Sequence, residues 1–184
     1  MVNYPIGIKN KKKTVLYKNR GMSLESLLND TNEYYLINNI AVIYKKPTPI
    51  KIIKMDEVKK RITNAIFDKP STTDYNGIYK GSYIDFEAKS TKNRTSFNLN
   101  NLRPCQISHF RKILIQKALA FLIIEFSMLG KYYLLPAQKL IYFIDTKSKK
   151  SIPLDYIKEN GYEIKRSINP PLDYLKLVSF CKIK

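Results

Sequence analysis

The sequence predicts a single mixed α/β domain in which a β-sheet core is flanked by helices. Three stretches of the chain indicate this fold. Residues 83–89 alternate polar and apolar side chains with the period of a strand. Residues 120–126 are almost continuously apolar, as expected of a central strand that is covered on both faces. Residues 103–119 place apolar side chains at helical spacing, and the 184 residues show no internal repeat or second-domain boundary.

The composition argues against several classes of protein. Hydrophobic residues make up 44% of the chain, so wholesale disorder is not expected. The two cysteines, Cys105 and Cys181, have neither the spacing of a zinc site nor that of a disulfide scaffold. No apolar run reaches the roughly 18 residues of a membrane span. The basic N-terminus lacks the apolar core of a signal peptide. A reducing, cytoplasmic setting is therefore the expectation.

The chain carries a large excess of positive charge. Lysine and arginine total 33 residues against 15 aspartates and glutamates, which gives a formal net charge of +18. A polyanionic partner such as a nucleic acid is the natural interpretation. The alternative is a lysine-rich sequence whose charges cover an ordinary solvated surface, but no matching number of acids balances the lysines here.

The N-terminus begins with a basic segment. Residues 1–19 carry five lysines and no acid. We predict a flexible arm there, which either lies along phosphates or is simply solvated. The folded domain is expected to span residues 20–184. Its first helix is predicted from about Arg20 to Asn38, with Ser23 as the N-cap.

A short strand and a basic hairpin are predicted next. Residues 40–44 are rich in β-branched side chains and indicate a buried strand. Residues 50–69 interleave lysine and arginine with isoleucine and valine. One interpretation of this segment is a mixed-charge hairpin whose Phe67 belongs to the core.

The C-terminal half supplies the remaining elements. Pro104 suits the first turn of the helix predicted over residues 103–119. The stretch 137–143 fits a short helix or a strand equally well. The other expected elements are a strand over 131–135, a basic loop over 146–151, a helical turn over 155–158 closed by Gly161, and a last helix starting at Pro170-Pro171.

Two carboxylates and a lysine are predicted to converge in the middle of the chain. Asp85, Glu87 and Lys89 should share one face of the alternating strand, and turn-forming Asn-Gly and Lys-Gly pairs should fold Asp74 back beside Glu87. Carboxylates are ligands that Mg²⁺ accepts, and a bound divalent ion can polarise a phosphodiester. Asp followed by Glu-x-Lys on a strand is the PD-(D/E)xK nuclease pattern. Alone it is weak, because Glu-x-Lys on an amphipathic strand is ordinarily a solvated face.

Several separated motifs give the chain a specific resemblance to a known family. They are Asn19-Arg20-Gly21-Met22, residues 40–43 leading into Lys45-Lys46-Pro47-Thr48-Pro49, residues 72–77, residues 83–89, and Thr95-Ser96-Phe97. In this order they resemble the RecU family of Holliday junction resolvases, from about residue 19 to residue 145 and more loosely to the C-terminus. The resemblance implies a restriction-endonuclease-like fold that cuts a four-way junction symmetrically on two strands during homologous recombination and DNA repair.

The resemblance also implies roles for individual residues. Asp74 and Glu87 are expected to hold Mg²⁺, for which Mn²⁺ can substitute, with Thr72 and Gln106 supporting the metal. Lys89 is expected to orient the attacking water or to stabilise the transition state. The product would be a nick with 5′-phosphate and 3′-hydroxyl ends.

Further residues are expected at the metal and on the DNA. Glu25 is a secondary metal or catalytic candidate, because comparable nucleases bring an early helical glutamate toward the metal; its alternative role is a favourable interaction with the helix dipole. In the family the segment corresponding to residues 50–69 is a protruding stalk that enters the junction. The residues expected to approach DNA are Arg20, Lys59, Lys60, Arg61, Phe67, Lys92 and Arg94.

The implied partners and the alternative functions follow from the same resemblance. Symmetric cutting needs two active sites, so a homodimer is expected. Family members also engage the strand-exchange recombinase. Two alternatives to the resolvase remain open: a catalytically inactive junction-binding protein, and a restriction-type endonuclease that acts on linear duplex.

Overall fold

The computed structural model describes residues 23–68 and 72–178. The predicted N-terminal arm and Arg20 lie outside these residues. The helices are α1 (Leu24–Ile37), α2 (Pro104–Ile115), α3 (Ala137–Thr146), α4 (Leu154–Asn160) and α5 (Leu175–Val178), with a 3₁₀ turn at Leu99–Asn101. The strands are β1 (Val42–Lys45), β2 (Ile50–Asp56), β3 (Arg61–Phe67), β4 (Tyr75–Tyr79), β5 (Ser82–Thr91), β6 (Ser96–Asn98), β7 (Leu119–Phe126), β8 (Lys131–Pro136), β9 (Ser151–Pro153) and β10 (Tyr162–Ile164).

A six-stranded sheet forms the centre of the domain, in the order β1-β4-β5-β7-β8-β10. Strands β5 and β7 are parallel, because α2 carries the chain across between them, and the other neighbours are antiparallel. Helices cover both faces. The prediction of a mixed α/β sheet flanked by helices is therefore confirmed.

The hydrophobic core is divided by this sheet into two layers. On one face, α1 and α5 pack against side chains of β5 and β7 that include Phe86 and Phe121. On the other face, α2, α3 and α4 pack against Ala120, Leu122 and Ile124 of β7. Strand β7 is thus buried on both sides, as its apolar sequence predicts.

A stack of aromatic rings aligns the strands next to the predicted site. Tyr75 of β4 stacks on Phe86 of β5, and Phe86 stacks on Phe121 of β7, with centroids 4.8 Å apart in each pair. Such offset stacks add roughly 0.5–1.5 kcal/mol beyond the area they bury. Because Tyr75 follows Asp74 directly, this packing also fixes where Asp74 leaves the sheet.

Most local signals in the sequence correspond to real boundaries. Ser23 is the N-cap of α1, and its hydroxyl accepts a hydrogen bond from the Ser26 N–H at 3.2 Å. Pro104 begins α2. That helix ends at Ile115, four residues earlier than predicted, because Lys117 adopts a left-handed conformation with φ of 59°. The undecided stretch 137–143 belongs to helix α3.

Two further predictions about elements need correction. Strand β1 lies at the edge of the sheet, so Ile43 is the single buried residue of its four instead of one among several. The last helix begins at Leu175 and not at the Pro170-Pro171 pair. Leu172 instead bridges to Arg166 in a β-bridge and donates its N–H to the Thr31 hydroxyl at 3.1 Å, which holds this segment extended.

Strand β1 approaches β4 unusually closely at one point. Gly77 lies opposite Ile43 in the ladder, and a Cβ atom on Gly77 would be 2.0 Å from the Val42 carbonyl oxygen. No side chain fits in that space, so glycine is required for the two strands to pair at this distance.

Strands β2 and β3 form an antiparallel hairpin that pairs with no other strand in the described part of the chain. All but one of its strand residues are exposed, including Phe67, of which 80% is accessible. The interpretation that places Phe67 in the core is therefore wrong. Seven residues per strand give the hairpin a length of about 20 Å.

No helix in residues 23–68 or 72–178 is long and apolar enough to cross a membrane.

Candidate active site

The β4–β5 hairpin brings Asp74 and Glu87 together, as the sequence predicts. The ladder pairs Tyr75 with Phe86, so the residues one step further along, Asp74 and Glu87, emerge side by side on the same face. Asp74 Oδ2 lies 3.4 Å from the N–H of Ala88, the residue after Glu87. The turn between the two strands falls at residues 80–81, within the predicted span.

Glu87 lies at the bottom of this site as a buried carboxylate. Its side chain is fully inaccessible, and neither oxygen accepts a hydrogen bond of good geometry from the described residues. The Lys89 ammonium forms an ion pair with Oε1 at 2.5 Å. Burial raises the pKa of Glu87 to about 7; the Lys89 ammonium opposes this rise, and the Asp74 carboxylate adds to it. The other oxygen of Glu87, Oε2, has no partner within the described residues, and a buried carboxylate oxygen of this kind is well suited to bind a cation.

A cleft of about 1090 Å³ opens next to this pair. Its walls come from the start of α1, the segment after β1, the base of the β2–β3 hairpin, and the ends of β5 and β7. The charged residues that line it are Glu25, Lys45, Lys46, Asp68, Asp74, Lys92, Arg103 and Glu125. Four cations and four acids thus line the cleft; Asp74 is one of them, whereas Glu87 and Lys89 are not.

Two carboxylates fit Mg²⁺ better than a closed transition-metal site. Within residues 23–68 and 72–178, no group of three or more His, Cys, Asp or Glu side chains is arranged to hold a metal ion. Mg²⁺ usually takes one or two carboxylates and fills its other positions with water and substrate phosphate. Asp74 and Glu87, whose Oε2 has no polar partner among the described residues, match that requirement. These two residues would hold the ion.

The supporting ligands predicted from the resemblance have other partners in the structure. The Thr72 hydroxyl accepts a hydrogen bond from Lys46 Nζ at 3.2 Å. Gln106 is buried, and its Oε1 accepts the Arg103 N–H at 2.9 Å, which caps the N-terminus of α2. The structure therefore gives Gln106 a capping role that the sequence did not suggest. The metal roles of both residues stay predictions.

Glu25 lies close to the catalytic pair but on the rim. Its side chain is 58% exposed and forms an ion pair with Lys45 at 2.5 Å. Burial raises the pKa of Tyr75 well above its usual value, and the negative charges of Glu25, Asp74 and Glu87 raise it further. These three carboxyl groups therefore surround one tyrosine, and Glu25 stays a secondary candidate.

The residues predicted to approach DNA are distributed over three places. Lys59, Lys60 and Arg61 are at the tip of the β2–β3 hairpin, whereas Phe67 is at its base and lines the cleft. Lys92 also lines the cleft, and Arg94 lies exposed in the loop that follows β5. The tip and the base are separated by about 20 Å, so the structure does not gather these side chains in one cluster.

A second buried carboxylate, Asp85, organises a network that was not predicted from the sequence. Asp85 is fully inaccessible and accepts hydrogen bonds from Lys46 Nζ at 2.8 Å, from the Tyr83 hydroxyl at 2.9 Å and from the Thr73 hydroxyl. His109 Nε2 of α2 lies 3.2 Å from the same carboxylate. The alternating pattern placed Asp85 beside Glu87, but it gave no sign of partners 24 to 39 residues away in the chain.

Lys46 connects this network to Asp74. Its Nζ binds the hydroxyl groups of Thr72 and Thr73, and its backbone N–H donates to the Asp74 carbonyl at 2.8 Å. The segment that carries Asp74 is therefore attached to Lys46 through both main chain and side chain. The network holds Asp74 in position opposite Glu87.

Comparison with known proteins assigns the chain to a family. A sequence model described as Recombination protein U matches residues 19–180. The chain belongs to this family. Its curated relatives include proteins called Holliday junction resolvase RecU from Streptococcus agalactiae (46% identical, over 97% of this chain and 95% of the relative), Streptococcus uberis (48%, over 97% and 95%) and Streptococcus mutans (47%, over 97% and 96%). The suspected RecU resemblance is thus confirmed.

One solved structure shows a more distant likeness. It is Hjc from Archaeoglobus fulgidus, a Holliday junction resolvase from an archaeal hyperthermophile. The TM-score is 0.47 and the sequence identity 12%, over 76% of this chain and 94% of that one.

Proposed function

We propose that this member of the RecU family is a Mg²⁺-dependent endonuclease that resolves Holliday junctions by paired symmetric nicks. Its class would be that of a crossover junction endodeoxyribonuclease, acting in recombination and repair. The observation that carries the proposal is the pair of carboxylates, Asp74 and the buried Glu87, beside the Lys89 ammonium, with Asp74 lining the cleft. The curated relatives, which share nearly half of its residues, are called Holliday junction resolvases.

Each residue of the site has a distinct role in the proposed reaction. Asp74 and Glu87 hold Mg²⁺, for which Mn²⁺ substitutes. When bound, the ion polarises the scissile phosphodiester and offsets its charge. Lys89 orients the attacking water or stabilises the charge that develops on the phosphorane. Water attacks phosphorus and the 3′-oxygen leaves, which gives a nick with 5′-phosphate and 3′-hydroxyl ends.

The β2–β3 hairpin has the shape and charge of the proposed stalk. It projects by about 20 Å and carries Lys59, Lys60 and Arg61 at its tip. We propose that this tip enters the open centre of the junction while the duplex arms lie over the cleft. Paired cleavage requires a homodimer, which brings two clefts to opposite strands. The strand-exchange recombinase is a further proposed partner, and the cytoplasm is the proposed location.

A comparison of two DNA substrates tests this function. A synthetic four-way junction and a linear duplex of matched sequence are incubated with the protein over a Mg²⁺ titration. We expect the wild type to cleave the junction. Asp74→Ala and Glu87→Ala should each lower the cleavage rate by about 1,000-fold or more and should retain junction binding. Asp155→Ala and Glu159→Ala, which remove exposed carboxylates of α4, are the matched controls and should cleave normally.

The other outcomes would favour the alternative functions. Equal cutting of junction and linear duplex would indicate a restriction-type endonuclease. Binding without cleavage at any concentration of Mg²⁺ or Mn²⁺ would indicate an inactive junction-binding protein. Either result would overturn the proposed resolvase activity.

A further inference from the structure

A small second sheet beside the cleft collects positive charge. Strands β6 and β9 pair antiparallel, with Phe97 opposite Ile152 at the centre of the ladder. Both of these side chains are buried, so the ladder is anchored to the core. Two exposed loops lie at its opposite ends, residues 92–95 before β6 and residues 147–150 before β9. This ladder and its two loops are called the β6–β9 ribbon below.

The ribbon carries five exposed cations that have no acidic partner. They are Lys92, Arg94, Lys147, Lys149 and Lys150. None of them forms an ion pair within the described residues. Some exposed lysines elsewhere do have such partners, for example Lys131, which binds Glu163 at 2.5 Å, whereas others such as Lys117 and Lys139 form no ion pair within the described residues.

The sequence around the ribbon lacks acids altogether. Residues 88–124 and 146–154 contain no aspartate or glutamate. The first acids beyond the second stretch are already bound, Asp145 by Arg111 at 2.9 Å and Asp155 by Lys158 at 3.1 Å. The positive charge of the ribbon is therefore not neutralised by the protein itself. A surface of this kind attracts an extended polyanion.

The ribbon is fixed rigidly at the rim of the cleft. The Lys150 carbonyl accepts the Leu99 N–H at 2.9 Å, and the Thr95 carbonyl accepts the Leu154 N–H at 2.8 Å. Lys92 itself lines the cleft, five residues beyond Glu87. The five residues from Glu87 to Lys92 span about 16 Å at strand spacing, and the length of the β6–β9 ladder adds about 7 Å. The loop 147–150 is thus of order 20 Å from the catalytic pair, or roughly half a turn of B-DNA.

We propose that the β6–β9 ribbon binds the sugar–phosphate backbone of one duplex arm, about half a helical turn from the scissile phosphate. The identity of that arm as part of a junction rests on the proposed function. Lysine ammonium groups act as point charges, so this contact would position the DNA without reading its sequence. Lys147, Lys149 and Lys150 would thus contact DNA in addition to the contacts proposed for the β2–β3 hairpin and the cleft.

The salt dependence of DNA binding tests this surface. In the variant K147Q/K149Q/K150Q, the slope of log affinity against log salt should become less negative by up to about 2.7, since each phosphate contact contributes about 0.9. Affinity at fixed salt should fall roughly tenfold. The matched control is K80N/K117N/K139Q, which removes three exposed lysines at the opposite end of the central sheet and should keep the wild-type slope; asparagine is used at positions 80 and 117 because both have a positive φ.

Chemical neutralisation of the DNA locates the contact. Methylphosphonate linkages placed 4–8 nucleotides from the cleavage site, about half a helical turn, should weaken binding by the wild type and by the control variant. They should not weaken binding by K147Q/K149Q/K150Q further, because the partner of the neutralised phosphates is already gone. An unchanged salt slope in K147Q/K149Q/K150Q, or an equal change in the control variant, would overturn the proposal that the ribbon binds DNA.

Failure of this proposal is distinguishable from failure of the proposed function. If the wild type cleaves no junction, the resolvase function fails, but the salt slope on plain duplex still decides for or against the ribbon. If the triple variant is poorly folded, K149Q alone should change the slope by about 0.9.

Discussion

Glu87 combines two properties that conflict in a protein without metal. Its carboxylate is a proposed ligand of a cation, yet its burial disfavours the charged form. The Lys89 ion pair compensates only in part, because the pKa of Glu87 still rises to about 7. The sequence could place Glu87, Lys89 and Asp74 in one site, since a single hairpin joins them. It could not reveal the depth of Glu87, which depends on the helices that pack over the sheet.

Replacing Glu87 with glutamine should stabilise the metal-free protein. The carboxyl pKa rises from 4.5 in the unfolded chain to about 7 in the folded one, so folding loses stability as the pH rises through this window. In the absence of divalent ions, E87Q should increase the free energy of unfolding by about 1–3 kcal/mol at pH 8 and by little below pH 4.5. Urea denaturation at the two pH values measures this difference.

The exposed Glu159 of α4 provides the control for this measurement, since E159Q should leave stability unchanged at both pH values. A destabilised E87Q protein at pH 8 would contradict the expected effect and would show that the ion pair with Lys89 outweighs the burial of the charge.

At the scale of elements, local chemistry decided which segments the sequence could predict. Strands β5 and β7 and the start of helix α1 follow from alternation, apolar content and an N-cap, all of which are properties of neighbouring residues. The errors occurred where a distant partner decides the conformation. Leu172 is held extended by Thr31 of α1, 141 residues away in the chain, and strand β1 is exposed because no strand covers its outer side.

The β2–β3 hairpin should contribute to DNA binding and not to stability. Among the residues that the structure describes, its strands pair only with each other and lie outside the two core layers. A variant with Lys59→Gln, Lys60→Asn and Arg61→Gln should bind a junction more weakly, with a salt slope less negative by up to about 2.7. Asparagine is chosen at position 60 because Lys60 has a positive φ of 50°. Binding titrations over a range of salt concentrations measure the slope.

The melting temperature of this hairpin variant should equal that of the wild type, which serves as the internal control for folding. A salt slope identical to that of the wild type would remove these three residues from the DNA interface.

At the scale of the whole molecule, Asp85 links parts of the chain that the sequence keeps far apart. Lys46 follows the edge strand, Thr73 precedes β4, and His109 belongs to α2, yet all three meet one buried carboxylate. The pattern of the sequence suggested the catalytic residues because their spacing is short. It gave no indication of this network, because its members meet only once the sheet and α2 have assembled.

Asp85→Asn should damage both stability and catalysis. The substitution leaves Lys46, only 16% exposed, without its anionic partner, which should cost about 2–4 kcal/mol of unfolding free energy. It should also lower kcat for junction cleavage with little change in KM, because the segment that carries Asp74 loses its anchor. Denaturation and steady-state cleavage measure the two effects.

Asp155→Asn is the control for this variant. Asp155 also forms an ion pair, with Lys158, but its side chain is 84% exposed. Its substitution should change stability by less than about 1 kcal/mol and should leave cleavage unaltered. Normal cleavage in D85N would show that Asp74 keeps its position without the network.

The missing side chain at Gly77 has a consequence for how this protein can evolve. Gly77 sets the separation of β1 from β4, and Lys46 follows directly after β1. Even an added methyl group would push the edge strand outward and carry Lys46 away from Asp85 and Thr73. Gly77→Ala should therefore keep the overall fold but displace Lys46 from its buried partners, although position 77 lies outside the proposed catalytic group.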